Sequence, residues 1–186
     1  WSRDPAGRVL SEMCNGRTLT FAYDQLGRPV HRTTPSGATT AWSYDQAGNP
    51  AAVTASGHTL VFAQDPAGRE TARRIGEALT LDSAWDATDR LTEQTLNAPT
   101  GPLLSRRYSY RSDDHLVAVD DQLRGHRTFD LDAAGRITAV RAGDWGETYA
   151  YDAAGNQTNA TWPEQQPDAE AAGPRTYTGT RIPAAG

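Results

Sequence analysis

Large and small side chains alternate along several short stretches of this chain. In Phe21-Ala22-Tyr23, Trp42-Ser43-Tyr44 and Phe62-Ala63-Gln64, a small residue stands between two large ones. The same order recurs at 108–110, 129–131 and 149–151. A period of two is typical of a β-strand and places both large side chains of a triplet on one face of the sheet. The pattern therefore predicts strands of about seven residues, separated by turns.

A turn signal follows these triplets at a regular interval. Aligned units begin at residues 4, 24, 45, 65, 86, 111, 132 and 152, and six of them read Asp-x-x-Gly followed by Arg or Asn. The composition alone would give about 0.2 such matches, so the repeat is real. The repeat-defining residues, assigned structural roles, are Asp4, Gly7, Arg8, Tyr23, Asp24, Gly27, Arg28, Tyr44, Asp45, Gly48, Asn49, Asp65, Gly68, Arg69, Asp132, Gly135, Arg136, Tyr151, Asp152, Gly155 and Asn156.

The residue types at these positions predict a particular turn. Asp at the first position and Pro at the second, as in Asp4-Pro5 and Asp65-Pro66, favour a type I turn. The Gly that follows supplies the positive φ of a bulged hairpin loop. A second Gly recurs eight to ten residues later and marks the opposite turn. The sequence thus predicts an all-β fold of repeated antiparallel hairpins forming a curved ribbon.

The repeat is uneven along the chain. Residues 1–158 are predicted to form about eight units of 20–21 residues. Asp89-Arg90 stands where Gly-Arg is expected, and Arg111 stands where Asp is expected. The extra residues between these two units fit an insert at 97–103, which its Pro and Gly content predicts to be a loop. The Pro- and Ala-rich residues 159–186 form a degenerate segment in which a further repeat could start near Tyr177.

The composition constrains how such a chain can be stable. Only 37% of residues are hydrophobic and the mean hydropathy is -0.66, which is little for a thick core. Neighbouring hairpins must therefore stabilise one another edge to edge. We expect Phe21, Trp42, Phe62 and their counterparts to stack as a ladder, each cross-strand pair contributing roughly 0.2 to 1 kcal/mol.

Charge and composition exclude several function classes. All eighteen basic residues are Arg, yet no Arg run is longer than two, so a nucleic-acid partner is not expected. No apolar run approaches the roughly 20 residues of a membrane helix, and neither membrane insertion nor a signal peptide is predicted. The single Cys14 cannot form an internal disulfide.

Candidate chemistry is sparse. The recurring Asp residues do not form the oxygen-rich motifs of calcium-binding repeats, and the four His residues lack metal-ligand spacing. The acidic pairs Asp113-Asp114 and Asp120-Asp121 fit solvated loop charge better than carboxylate catalysis. The sequence therefore predicts no catalytic residue, no cofactor and no metal site, and a chain that is not an enzyme.

The repeated Tyr-Asp pairs, Tyr23-Asp24, Tyr44-Asp45 and Tyr151-Asp152, resemble the Rhs or YD-repeat family. The resemblance covers residues 1 to about 158. It implies a β-ribbon that spirals into a hollow shell. In bacterial Rhs polymorphic toxins and in the C component of insecticidal toxin complexes, that shell encloses a C-terminal toxic domain; the teneurin shell is a distant relative. The family's self-cleaving core motif has no match here.

This resemblance implies a structural segment of a shell that encapsulates and helps deliver a toxin domain encoded elsewhere in the full-length protein. The implied partners are flanking YD-repeat segments, the enclosed toxin domain and a secretion-system component, and the implied location is secreted or cell-surface. Sixteen strands at ~4.8 Å each make a wall of roughly 75 Å, which is too narrow to enclose a ~100-residue cargo alone. We therefore expect a piece of a longer polypeptide.

An alternative function is a cell-surface adhesion or carbohydrate-binding repeat module. Five Trp and seven Tyr residues could offer ring faces to sugars. Their regular recurrence with the repeat favours a structural role instead.

Overall fold

The structure is a computed structural model that describes residues 1–166, 169–178 and 181–185, mostly as β-strands joined by short turns. The strands are β1 (Ser2–Arg3), β2 (Val9–Cys14), β3 (Arg17–Tyr23), β4 (Pro29–Thr33), β5 (Thr39–Tyr44), β6 (Pro50–Ala55), β7 (His58–Gln64), β8 (Glu70–Ile75), β9 (Leu79–Trp85), β10 (Leu91–Ala98), β11 (Gly101–Tyr110), β12 (Leu116–Asp121), β13 (Gly125–Leu131), β14 (Ile137–Ala142), β15 (Trp145–Tyr151), β16 (Gln157–Thr161), β17 (Gly173–Thr178) and β18 (Arg181–Ala185). A single 3₁₀ turn, η1, covers Ala169–Ala171.

Contacts between Cα atoms divide the chain into two units. The first comprises Trp1–Ala84 with Thr95–Leu103, and the second comprises Trp85–Gln94 with Leu104–Gly186. In the first unit, each strand from β1 to β9 pairs antiparallel with the next one. In the second unit, the strands from β11 to β18 do the same. The predicted all-β succession of hairpins is confirmed.

The predicted alternation of faces is visible in the burial of the strands. In β3, Phe21 and Tyr23 are half-buried while Ala22 between them is exposed. In β15, Tyr149 and Tyr151 are half-buried while Ala150 is exposed. One face of each strand therefore carries the large side chains, and the other carries small ones.

The aromatic ladder differs from the expected one. Directly opposite Trp42 stands Val53, and directly opposite Phe62 stands Arg73, whose guanidinium lies 5.4 Å from the ring centroid. The reason is the repeat length: two strands make one unit, so an intervening strand separates successive aromatic strands. The expectation of direct aromatic pairs was wrong for Trp42 and Phe62, because the residues opposite these rings are Val53 and Arg73 of the intervening strand.

The insert at 97–103 is not an irregular loop. Asn97 and Ala98 end β10, and Gly101 to Leu103 begin β11, so only Pro99 and Thr100 form the turn. The extra residues lengthen these two strands to eight and ten residues. The loop prediction failed because Pro102 lies near the start of its strand, a place where a strand tolerates proline.

Very few of the described side chains are fully buried. In the first unit Thr40 is below a tenth exposed, and in the second unit so are five small apolar residues and one acid: Val119, Ala139, Val140, Ala142, Ala160 and Asp121. Among the described residues of each unit, no helix or second sheet packs over the strands. Stability must therefore come from strand pairing and from contacts between turns.

The degenerate segment retains strand structure. Following η1, β17 and β18 pair antiparallel, with Thr178 opposite Arg181. Gly179 and Thr180, where the tip of a further repeat would fall, lie outside the described residues. The division at residue 158 and the further repeat stay predictions. Among the described residues, no helix is long and apolar enough to cross a bilayer.

Candidate functional site: the stacked turns

The turn at Asp24 shows how the repeat motif folds. The Asp24 N–H donates to the carbonyl of Arg28 at 2.9 Å, and the Gly27 N–H donates to the carbonyl of Asp24 at 3.0 Å. Gly27 has a φ of 82°. This is the predicted type I turn followed by a positive-φ residue, and the strand register shifts beside it, between Ala22 and Tyr23. The same two backbone bonds recur in the turns that begin at residues 4, 45, 65, 132 and 152.

The Asp carboxylate holds the turn from inside. In the turn of Asp24, Oδ1 accepts the N–H groups of Leu26 and Arg28, both at 2.9 Å, and Oδ2 accepts Arg28 Nε at 2.7 Å. In the turns at 45 and 152, an Asn amide takes the place of the guanidinium. The backbone N–H of Arg136 lowers the pKa of Asp132 below its usual range, and the guanidinium of Arg136 adds to this. The carboxylates are thus held ionised by the turns they stabilise.

Where a Tyr precedes the turn, it reaches back to the preceding unit. Tyr44 Oη donates to the carbonyl of Pro29 at 2.8 Å, and its ring centroid lies 4.3 Å from the guanidinium carbon of Arg28. Tyr151 repeats both contacts, with the carbonyl of Ile137 at 3.0 Å and with Arg136 at 4.7 Å. The Tyr of one unit is therefore bound to the Arg and to the following backbone of the unit before it.

The same Arg also reaches forward to the next turn. Arg8 Nη1 donates to the carbonyl of Asp24 at 3.3 Å, and Arg136 Nη1 donates to that of Asp152 at 3.2 Å. A Cβ atom on Gly27 would lie 3.1 Å from Arg8 Nη1. Gly27 is thus required twice, for its positive φ and for the passage of the Arg beneath it.

The two irregular turns keep the backbone of the regular ones. Asp89 replaces the Gly at a φ of 64°, and Asp114 does so at 68°. In the second of these turns, the Arg111 N–H donates to the carbonyl of His115 at 2.8 Å. Arg90 Nη1 then bonds Asp114 Oδ1 at 3.0 Å, which joins the two turns through their side chains. Sequence reasoning missed this link; the signal was Asp, a residue tolerant of positive φ, at both Gly positions.

One of the acids expected in solvated loops is buried. Asp121 ends β12 directly opposite Arg106, and its fully buried carboxylate accepts Arg106 Nε at 2.5 Å. Its other oxygen accepts the N–H groups of Leu123 and Arg124. The guanidinium of Arg106 lowers the pKa of Asp121 to about 2. The expectation of solvated charge was therefore wrong for Asp121, because the acid closes the turn between β12 and β13.

These turns have the chemistry of a scaffold. In the regular turns, the first Asp uses both carboxylate oxygens within its own turn. No three His, Cys, Asp or Glu residues in the described part of the chain are placed to hold a metal ion. What the geometry does is to couple one repeat to the next along the edge of the sheet.

Comparison with known families identifies the repeat that forms these turns. The family model described as RHS Repeat matches residues 3–39 and 26–60, which contain the turns of Asp4, Asp24 and Asp45. This part of the chain carries Rhs repeats. The turns at 132 and 152, outside the matched residues, have the same backbone hydrogen bonds. A comparison with curated proteins finds no significant sequence match.

Solved structures share the fold of this chain. A crystal structure of TcdB2–TccC3 aligns with a TM-score of 0.73 at 16% identity, over 87% of this chain and 11% of that one. A Photorhabdus luminescens Tc holotoxin pore with a mutation in TccC3 aligns with a TM-score of 0.67 at 17% identity, over 81% of this chain and 9% of that one. The predicted all-β fold class of repeated antiparallel hairpins is confirmed. The chain spans about a tenth of the length of these structures.

Proposed function

We propose that this chain is a structural segment of an Rhs-type shell that encapsulates a toxin domain encoded elsewhere in the full-length protein and helps to deliver it. The observation that carries the proposal is the shared fold with the TcdB2–TccC3 structure over 87% of this chain but only 11% of that one. A small part of a large assembly has the architecture of a wall element. The proposed role is mechanical and not catalytic.

The hydrogen bonding of each unit suits a wall. Each interior strand of the meander spends its backbone groups on both neighbours, as β5 does with β4 and β6. Such a sheet is continuous without a thick core, which agrees with the few fully buried side chains. The side chains at the turns then fix each hairpin to the next one, so that a long sheet can form from alike pieces.

The partners follow from this role. We propose flanking YD-repeat segments as neighbours within the same wall, the toxin domain as the enclosed cargo, and a secretion-system component as the export partner. The protein would then act outside the cell or at its surface.

The test is imaging of the full-length protein by electron cryomicroscopy together with limited proteolysis. We expect density enclosed by the Rhs wall, and a cargo domain that resists protease until the wall is unfolded. An extended ribbon without enclosed density, or cargo that is cleaved as fast as it is when expressed alone, would refute encapsulation.

A variant within the proposed wall makes the proteolysis test specific to this segment. Gly27→Val places a β-branched residue at a φ of 82° and against Arg8, whereas Ala22→Ser changes an exposed small side chain of the adjoining strand. We expect the first to shorten the protection of the cargo and the second to leave it unchanged. Equal protection in both variants would show that this stretch is not part of the barrier.

The glycan-binding alternative has no comparable support. The rings of Trp42 and Phe62 are half-buried on the sheet, and Phe62 is engaged by Arg73. Titration of the purified chain with bacterial polysaccharides is expected to show no binding. Binding that Trp42→Ala abolishes in a folded variant would favour the alternative.

A further inference from the structure

Six of the junctions between repeats of this chain are of two kinds. In a tied junction, an Arg follows the positive-φ residue of one turn and a Tyr precedes the next turn. In an untied junction, both the Arg and the Tyr are replaced. We infer that the untied junctions, at Asn49 with Gln64 and at His115 with Leu131, are the places where the array opens first. This inference does not depend on the proposed function.

Tied junctions share one set of contacts. The guanidinium lies 4.3 to 5.1 Å from the ring centroid, and the Tyr hydroxyl bonds the backbone carbonyl that follows the Arg, at 2.8 to 3.0 Å. The pairs are Arg8 with Tyr23, Arg28 with Tyr44, Arg90 with Tyr110, and Arg136 with Tyr151.

The untied junction of the first unit lacks the cation and the ring together. The Asn49 side chain bonds within its own turn, where its Nδ2 donates to Asp45 Oδ2 at 3.1 Å. Gln64 stands in the position of the Tyr, and its Nε2 still donates to the carbonyl of Pro50 at 2.7 Å. The backbone contact therefore survives without the contact between cation and ring.

The untied junction of the second unit has lost both contacts. His115 Nδ1 lies 3.0 Å from the carbonyl of Asp113, in its own turn. Leu131 stands in the position of the Tyr and offers neither a ring nor a hydroxyl group. His115 meets the next turn only by packing against Gly135, where a Cβ atom would be 2.1 Å from Nε2. Packing of this kind has no directional bond to hold it.

In both untied junctions the Arg and the Tyr are replaced together, which suggests that they act as one unit. At one further junction the Arg is kept, as Arg69, and Trp85 stands in the position of the Tyr. The last junction is a mixed case: Asn156 precedes Tyr177, whose hydroxyl still bonds the carbonyl of Gln157, while the guanidinium of Arg175 stacks on Trp162 instead.

The second unit offers a matched comparison for the test. The strands β12 and β13 separate the turns of the untied junction, and β14 and β15 separate those of a tied one. Each strand pair has four paired residues, so strand pairing alone predicts equal protection. In the first unit, β6 and β7 at the untied junction have four pairs, against three for β4 and β5 at a tied one, so pairing alone predicts the opposite order.

Hydrogen–deuterium exchange of the intact chain, followed by mass spectrometry, tests the inference. We expect amides of β12 and β13 to exchange about fivefold faster than those of β14 and β15, once corrected for intrinsic rates, because the tied junction adds a cation–ring contact and a hydrogen bond. Amides of β6 and β7 should likewise exchange faster than those of β4 and β5. Equal or reversed protection in both units would overturn the inference.

Repair of an untied junction tests the coupling itself. The double variant Asn49→Arg, Gln64→Tyr should slow exchange in β6 and β7. The factor should exceed the product of the factors measured for the two single variants. The reverse change, Arg136→Asn with Tyr151→Gln, should accelerate exchange in β14 and β15 and leave β12 and β13 unchanged. Purely multiplicative effects in both sets would show that the Arg and the Tyr act independently.

Discussion

The turns at Asp24 and at Arg111 have the same backbone but almost no side chain in common. Both place a positive-φ residue fourth, Gly27 in one and Asp114 in the other, and both close with the same pair of backbone hydrogen bonds. At Asp24 the carboxylate accepts backbone N–H groups, whereas at Arg111 the guanidinium pairs with the exposed Asp113 at 2.6 Å. The comparison shows that the fold requires the backbone geometry, and that the conserved chemistry of the motif stabilises it.

The largest expected effect comes from the turn on which His115 packs. Gly135→Ala would place a Cβ atom 2.1 Å from His115 Nε2 at a φ of 79°, so the ring must move. We expect the free energy of unfolding to fall by about 2 to 3 kcal/mol, measured by chemical denaturation. Gly155→Ala is the control, since its φ is 89° but the nearest Arg atom would be 3.6 Å away. Equal losses of unfolding free energy in the two variants would mean that the His115 ring moves aside without an energetic cost.

The next effect separates the two kinds of turn. Asp24→Ala removes the acceptor for two backbone N–H groups and a guanidinium, whereas Arg111→Ala removes a partner of one exposed acid. We expect the first to lower Tm by about 3 to 6 °C and the second by about 1 °C or less. Thermal unfolding followed by circular dichroism measures both. If Arg111→Ala lowered Tm more than Asp24→Ala, hydrogen bonds from the carboxylate to the backbone would not be the main stabilising feature of the turn.

Acid should weaken the regular turns. The pKa of Asp24 is lowered, since the hydrogen bonds from Arg28 outweigh partial desolvation. Because the folded pKa lies below the unfolded value of 3.8, the stabilisation is complete above that value and is lost as the pH falls below it. Tm should therefore fall steadily below about pH 4, and Asp24→Asn should fall by about 1 to 2 °C less than the wild type. An identical acid profile in the variant would refute this contribution.

The smallest effect is the response to salt. The pair of Arg111 with Asp113 is exposed and is screened at high ionic strength, whereas the bonds from the Asp24 carboxylate to the backbone depend less on salt. In about 1 M NaCl, the Tm difference caused by Arg111→Ala should vanish and that caused by Asp24→Ala should remain. If both differences vanish, the Asp24 turn is held mainly by its contact with Arg28.

Sequence reasoning recovered the hairpins and the turns because both depend on local rules. Strand alternation is visible in Phe21-Ala22-Tyr23, and the positive φ of Gly27 follows from its place after a type I turn. The contact of Arg8 with Tyr23 could not be predicted from the motif, since it joins residues fifteen positions apart through the register of two strands. The burial of Asp121 could not be predicted from local rules either, because its partner Arg106 lies on another strand.

In a regular tied junction, such as that of Arg8 with Tyr23, the Arg passes beneath the following Gly and the Tyr reaches back, so that each contact joins a repeat to its direct neighbour. Insertion or deletion of a whole unit preserves these contacts, because the next unit offers the same carbonyl and the same open space. A change of one residue within a unit instead shifts the side chains of a strand to the opposite face. Growth of this chain by duplication of whole repeats is therefore tolerated far better than growth by single residues.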